Sequence, residues 1–154
     1  MQLEINKYDV LIHDQVLKIL ENFTQYKRNA PEAGGIMIGK VIDSQINIIK
    51  LSVPTQLDRS SRTNFERSKL SAQIIIDYEF FNSGGQLIYL GEWHTHPESS
   101  PVPSNTDLKM LQNQFKNNIL NTDFLILLIK GTNHIYIRII DKDGFYEKTI
   151  KTIF

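Results

Sequence analysis

The chain has 154 residues, 41% hydrophobic and 22% charged, an ordinary globular composition with enough apolar mass for a single domain, 1–154, around one core. Its 17 basic and 17 acidic side chains cancel, so no global field draws it toward nucleic acid or an anionic membrane, and a macromolecular partner has to be recognised locally. The absence of cysteine excludes disulfides, thiolate metal sites and cysteine nucleophiles together, and it is compatible with a reducing compartment.

The opening Met1 to Val10 carries charges where a secretory leader needs an apolar run. The longest apolar stretch, Phe124 to Ile129, is too short to span a bilayer. A soluble, cytoplasmic protein is the expectation. Residues 13–26 place Val16, Leu20 and Phe23 on one stripe, the pattern of an amphipathic helix, with Pro31 beyond its end. Gly34 to Ile42 and the alternating Gln45 to Ile48 read as two strands of a hairpin turned at Asp43-Ser44. The Ser- and Arg-rich segment from Pro54 to Arg67 is expected to be a long exposed loop bordering a substrate groove.

A second helix is expected over 68–81, where Leu70, Ile74, Tyr78 and Phe81 recur at helical spacing before Gly84-Gly85 stops them. Leu87 to His94 reads as a strand, and Ser104 to Asn117 as a third helix with Leu108, Leu111 and Phe115 on one face. The runs 124–129, 134–140 and 145–150, separated by Gly131-Thr132-Asn133 and by Asp141 to Gly144, read as an antiparallel meander.

His94, His96, Ser104 and Asp107 form the pattern H-x-H-x7-S-x-x-D. Side chains two apart on a strand share a face, so both imidazoles can reach one ion. Pro97, Pro101 and Pro103 force a turn, after which Asp107, in the first turn of the next helix, can swing back as a third ligand. Three nitrogen and oxygen donors leave the fourth position of a zinc ion open, which is the arrangement of a catalytic rather than a structural site. Plainer readings exist for each part. A lone strand histidine is more often structural, and S-x-x-D before an apolar helical pattern is a variant capping box. They have to hold at four positions together, whereas one metal site explains all four. His13 and His134 are most simply structural or surface residues.

Hydrolysis also needs a proton carrier, and the chain has eight glutamates. Glu92 shares a strand face with His94, Glu98 lies in the loop, and Glu32 precedes the pair Gly34-Gly35, which permits close backbone approach. Residue chemistry alone leaves the choice open.

The segment H-T-H-P-x6-S-x-x-D at 94–107, together with Pro-Glu-Ala-Gly-Gly-Ile-Met-Ile-Gly at 31–39, resembles the JAMM (JAB, MPN-plus) zinc metalloproteases over nearly the whole chain. The resemblance implies one zinc ion held by His94, His96 and Asp107, with Glu32 handling the proton of the attacking water and Ser104 steadying the oxyanion. It also implies an α/β (α+β) fold, a mixed central β-sheet flanked by helices, similar to that of cytidine deaminases. Deaminase chemistry is itself excluded, since the P-C-x-x-C ligands cannot exist in a cysteine-free chain.

Phe65-Glu66-Arg67-Ser68 and Gly91 to Glu98 are similar to the small prokaryotic JAB proteases of CBASS antiphage defence. That resemblance implies cleavage of a protein conjugate immediately after the C-terminal tail of a CD-NTase or of a ubiquitin-like protein. Eukaryotic deubiquitinases of the family commonly carry Trp two residues before the first motif histidine, where Glu92 stands here. Their ubiquitin-binding surface is therefore not carried over. An alternative within the family is the processing of a ubiquitin-like sulfur carrier. A non-catalytic scaffold is a third reading, but it expects missing ligands, and none is missing. Oligomeric state is not legible.

Overall fold

The computed structural model describes residues 1–153. The chain opens with β1 (Gln2–Ile5) and β2 (Tyr8–Ile12), an antiparallel hairpin turned at Asn6, whose φ is 53°. Helix α1 (Asp14–Asn22) follows, then β3 (Gly34–Ile42) and β4 (Gln45–Leu51), paired antiparallel around Asp43-Ser44. Both turn residues have positive φ, as a two-residue hairpin turn requires. A small separate hairpin, β5 (Arg59–Ser61) with β6 (Asn64–Glu66), precedes α2 (Lys69–Asn82) and β7 (Ile88–Thr95). Helix α3 (Asn105–Asn117) leads into β8 (Phe124–Lys130), β9 (His134–Asp141) and β10 (Gly144–Lys151).

Eight strands make one mixed sheet in the order β1-β2-β4-β3-β7-β8-β9-β10. The pairs β2·β4 and β7·β8 are parallel and the others antiparallel. Helices divide between its faces. Val16 and Leu20 of α1 pack on Ile126, Leu128 and Trp93, while Ala72 of α2 and Leu111 of α3 pack with Leu125, Leu127 and Ile129 on the other face. Every residue of β8 is buried, which explains the unbroken apolar run 124–129: alternate side chains serve two cores.

The mixed sheet with flanking helices and the terminal β8-β9-β10 meander agree with the sequence reading. Three expectations change. The first helix ends at Asn22, not Tyr26. Thr24 caps the break by donating from Oγ1 to Leu20 O at 2.9 Å, and Thr24 and Gln25 are buried. The segment 54–67 contains the β5–β6 hairpin and is not loop throughout. Finally, α2 forms, but the stripe that announced it points outward: Leu70, Ile74, Tyr78 and Phe81 are 60–77% exposed, and Ala72, Ile75 and Ile76 do the packing. No helix among the described residues is long and apolar enough to cross a membrane.

Candidate metal centre and active site

β7 carries His94 near its C-terminal end, paired with β3 on one side and β8 on the other. Trp93 turns to the α1 face, where its indole Nε1 donates to Ser52 O at 2.9 Å, so His94 turns to the α3 face. His96 lies one residue past the end of the strand, its N–H donating to Lys130 O of β8 at 3.0 Å. The rings sit with centroids 4.9 Å apart. Residues 97–103 then cross to α3 against the β8–β9 turn, where Thr132 N donates to Glu98 O and Asn133 N to Ser99 O. Gly131 makes that seat possible, since a Cβ there would lie 2.5 Å from Pro101 Cδ and 2.6 Å from Glu98 O.

Ser104 is the N-cap of α3. Its hydroxyl accepts from Asp107 N at 3.1 Å, and Asp107 Oδ2 accepts from Ser104 N at 2.7 Å. The capping-box reading of S-x-x-D is therefore correct, and it coexists with the ligand geometry, because the cap aims the same carboxylate at the histidines. Asp107 Oδ1 lies 3.3 Å from His94 Nε2, and Oδ2 lies 3.5 Å from His96 Nε2. The two Nε2 atoms stand 3.1 Å apart, and one donor atom from each of the three residues falls within 4.8 Å of the others. Two imidazole nitrogens and a carboxylate converge on one point, where a shared cation, a metal ion or a proton, offsets the repulsion between their lone pairs. This donor set fits a divalent metal with nitrogen and oxygen preference.

The glutamates now separate. Glu32 is 6% exposed, with Oε1 3.9 Å from His96 Nε2. It stands just before β3, where Gly34 lets the backbone pass Trp93 O and the Phe65 ring, atoms that a Cβ would approach to 2.6 and 2.5 Å. Burial pushes the Glu32 carboxyl up to about 7, against the attraction of His96 and with help from the Asp107 charge. Glu98 Oε2 lies 3.4 Å from His96 Nδ1, close enough for attraction but not aligned as a hydrogen bond, and Glu98 is 60% exposed. Glu92 is fully engaged. It receives Arg67 Nε at 2.7 Å, Arg67 Nη2 at 2.5 Å, Tyr89 OH at 2.7 Å and Gln114 Nε2 at 3.2 Å. Its oxygens are committed to that cluster of donors.

Burial alone would raise Asp107, but contacts from both histidines hold it well below the usual carboxylate range. Burial alone would lower His96, yet Asp107 and Glu32 raise it. The negative side chains around the imidazoles thus favour positive charge at their centre.

The histidines, Asp107, Ser104, Glu32 and Glu98 all line one groove of about 920 Å3, whose other wall is the β5–β6 hairpin with Phe65 and Arg67. Exposed Leu57 and Val102 stand at its rim. The residues missed in the sequence are Tyr89, Gln114 and Gln25. The first two share β7 and α3 with the motif residues but gain their role only through the fold-dependent cluster on Glu92, and Gln25 lies on a segment expected to be helix. The histidines outside the motif stay apart from the site: His13 is the N-cap residue of α1, and His134 rests its Nδ1 3.3 Å from Ser99 O.

A mixed sheet carrying two histidines and an aspartate that converge in a groove is compatible with a metal-dependent hydrolase. Residues 21–140 match the family described as prokaryotic homologs of the JAB domain, and the chain belongs to it. It is 36% identical over 128 residues to the CD-NTase/cGAS isopeptidase of Escherichia coli, covering 83% of this chain and 80% of that protein. It is 30% identical over 145 residues to the protein of the same name from Vibrio cholerae, covering 94% and 86%. The Pseudomonas aeruginosa isopeptidase is 33% identical over 128 residues, covering 81% and 80%. A solution structure from Desulfitobacterium hafniense shares the fold, with a TM-score of 0.62 at 19% identity over 90% of this chain and 89% of that one.

Proposed function

We propose that this chain is a zinc-dependent isopeptidase that cuts a protein conjugate after the C-terminal residue of a CD-NTase or ubiquitin-like protein, in CBASS antiphage defence. The observation that carries the reading is the convergence of His94, His96 and Asp107 within 4.8 Å, in the groove that Glu32 also lines. The names of the relatives supply the substrate class.

His94, His96 and Asp107 would hold a zinc ion, which would supply Lewis acidity to a carbonyl and a water nucleophile near neutral pH. Glu32, with its carboxyl near 7, takes the proton as water adds to the scissile carbonyl. It returns that proton to the leaving amine as the carbon–nitrogen bond breaks. The Ser104 hydroxyl already accepts from Asp107 N, so its own hydrogen is free to be donated to the tetrahedral oxyanion. The groove between the β5–β6 hairpin and the histidines takes the tail in extended form, which presents one peptide bond at a time to the site. In this reading the chain acts as one domain in the cytoplasm.

The test is cleavage of a purified CD-NTase C-terminal fusion, read by mass spectrometry, with wild type, Glu32→Gln and chelator-treated protein side by side. The expected result is a cut directly after the last CD-NTase residue, lost in both controls. An intact fusion in the presence of zinc-loaded protein removes this substrate and moves the site to the processing of sulfur carriers.

A further inference from the structure

Gln25 lies outside the motif and outside α1, yet its buried side chain touches three segments that build the site. Its Oε1 accepts from Thr95 Oγ1 at 2.9 Å, on the residue between His94 and His96. Its Nε2 donates to Ala30 O at 2.9 Å, just before Glu32, and to Arg62 O at 3.0 Å, in the turn of the β5–β6 hairpin. Both amide hydrogens are therefore in use.

Thr95 extends the path. Its Oγ1 accepts from Ala33 N at 3.0 Å and its N–H donates to Ala33 O at 2.8 Å, while Glu32 N donates to Ser61 O at 2.7 Å. The residue carrying the candidate base is thus fixed on its N-terminal side through Ala30, on its C-terminal side through Ala33, and at its own amide by the hairpin. An ordinary buried amide needs only partners enough to satisfy it. This one joins the strand that presents the ligands, the segment that presents the base and the wall of the groove.

We infer that Gln25 is a positioning residue, an amide hub that sets where Glu32 stands relative to the metal ligands and holds the β5–β6 hairpin as the groove wall. The inference rests on reading the site as an isopeptidase centre. Glu32 stands 3.9 Å from His96 Nε2, and misplacement of such a group by about 1 Å costs a rate factor on the order of a hundred. Among the described residues no other side chain bonds Thr95 Oγ1 together with the carbonyls of Ala30 and Arg62.

The test uses the full chain in three variants. Gln25→Leu removes all three bonds at similar volume. Gln25→Glu keeps the acceptor for Thr95 and turns an oxygen toward the Ala30 and Arg62 carbonyls. Thr95→Val breaks the path from the other end. Metal content, kcat and KM on the CD-NTase fusion, and amide hydrogen exchange are read together. The expected result is unchanged metal content, kcat lowered by at least about tenfold per metal-loaded molecule, and exchange at the Ala33 and Glu32 amides faster by at least about tenfold, with Leu127 of β8 unmoved. Thr95→Ser, which keeps the hydroxyl, retains the slow Ala33 exchange that Thr95→Val loses.

Unchanged exchange at Ala33 and Glu32 in a folded Gln25 variant overturns the inference, as does a wild-type kcat. A structural role alone lowers the melting temperature and leaves kcat per folded, loaded molecule intact, which also overturns it. If wild type leaves the fusion uncut while exchange at Ala33 still answers to Gln25→Leu, the isopeptidase reading falls and the positioning role stands. Should Gln25→Leu not fold, Gln25→Glu and Thr95→Val carry the same readouts.

Discussion

Ser104 and Asp107 hold each other across the first turn of α3, the hydroxyl accepting from one amide at 3.1 Å and the carboxylate from the other at 2.7 Å. One side chain thereby closes a helix and faces two imidazoles. Its two roles are separable. Asp107→Asn leaves an amide oxygen to accept from Ser104 N and is expected to keep α3 while losing metal. Asp107→Ala loses the metal and the reciprocal cap, adding about 1 kcal/mol of destabilisation. Metal analysis and urea titration of both variants check this, and tight metal binding by Asp107→Asn sinks the ligand assignment.

Glu32 gives a pH-dependent expectation with a definite sign. Its carboxyl has an ordinary value of 4.5 and about 7 in the fold, so the folded chain holds this proton more tightly than the unfolded one. Below 4.5 the group is protonated in both states and costs nothing. As pH rises to 7 the unfolded state gains by ionising first, and stability falls. The full shift is worth at most ~3 kcal/mol. In metal-free protein, Glu32→Gln should therefore raise the melting temperature relative to wild type at pH 8 and leave it nearly unchanged at pH 4. In loaded protein the same variant should keep its metal and lose turnover by at least about a hundredfold. Equal wild-type and variant melting curves at pH 8 would show that the carboxyl is not raised.

The sequence was most informative where a local rule coincides with the final geometry. Period-two alternation placed His94 and His96 on one face, the helix-cap pattern at Ser104 located the start of α3, and the apolar run at 124–129 marked a doubly buried strand. It was least informative where tertiary contacts decide. The α2 stripe of Leu70, Ile74, Tyr78 and Phe81 has helical period, but period does not say which side meets a sheet, and the smaller Ala72 allows the close approach. Choosing among Glu32, Glu92 and Glu98 required distances. Glu92 has the right strand face and loses its candidacy only because Arg67, Tyr89 and Gln114 converge on it. The break after Asn22 was hidden by Phe23, which continues the helical spacing although the chain has already turned.

Removal of the metal should have two effects read separately. Chelation leaves the two Nε2 atoms 3.1 Å apart beside Asp107 with no shared cation, so cleavage should stop and the melting temperature fall. A ligand present at a thousandfold over its dissociation constant stabilises by about 4 kcal/mol. Adding zinc back should restore both, and thermal scans with graded zinc measure the linkage. A melting temperature indifferent to zinc would remove the site.

Arg67 and Glu92 form a largely buried ion pair beside the groove. The guanidinium grips the carboxylate through Nε and Nη2, with side chains only 19% and 5% exposed. Truncating one partner of a buried pair leaves an uncompensated charge, so Arg67→Ala should destabilise the fold by about 3 kcal/mol. The surface pair Lys50–Glu79, whose lysine is 47% exposed, supplies the control: Lys50→Ala should cost less than about 1 kcal/mol. The double variant Arg67→Met, Glu92→Gln should recover part of the loss, since neither member is then left charged. Because Arg67 follows β6 directly, its truncation should also free the hairpin wall. Faster proteolytic nicking within 57–66 and a raised KM are then expected, with metal content unchanged. Should Arg67→Ala prove no more destabilising than Lys50→Ala, with the hairpin still resistant to protease, the pair does not hold the groove wall.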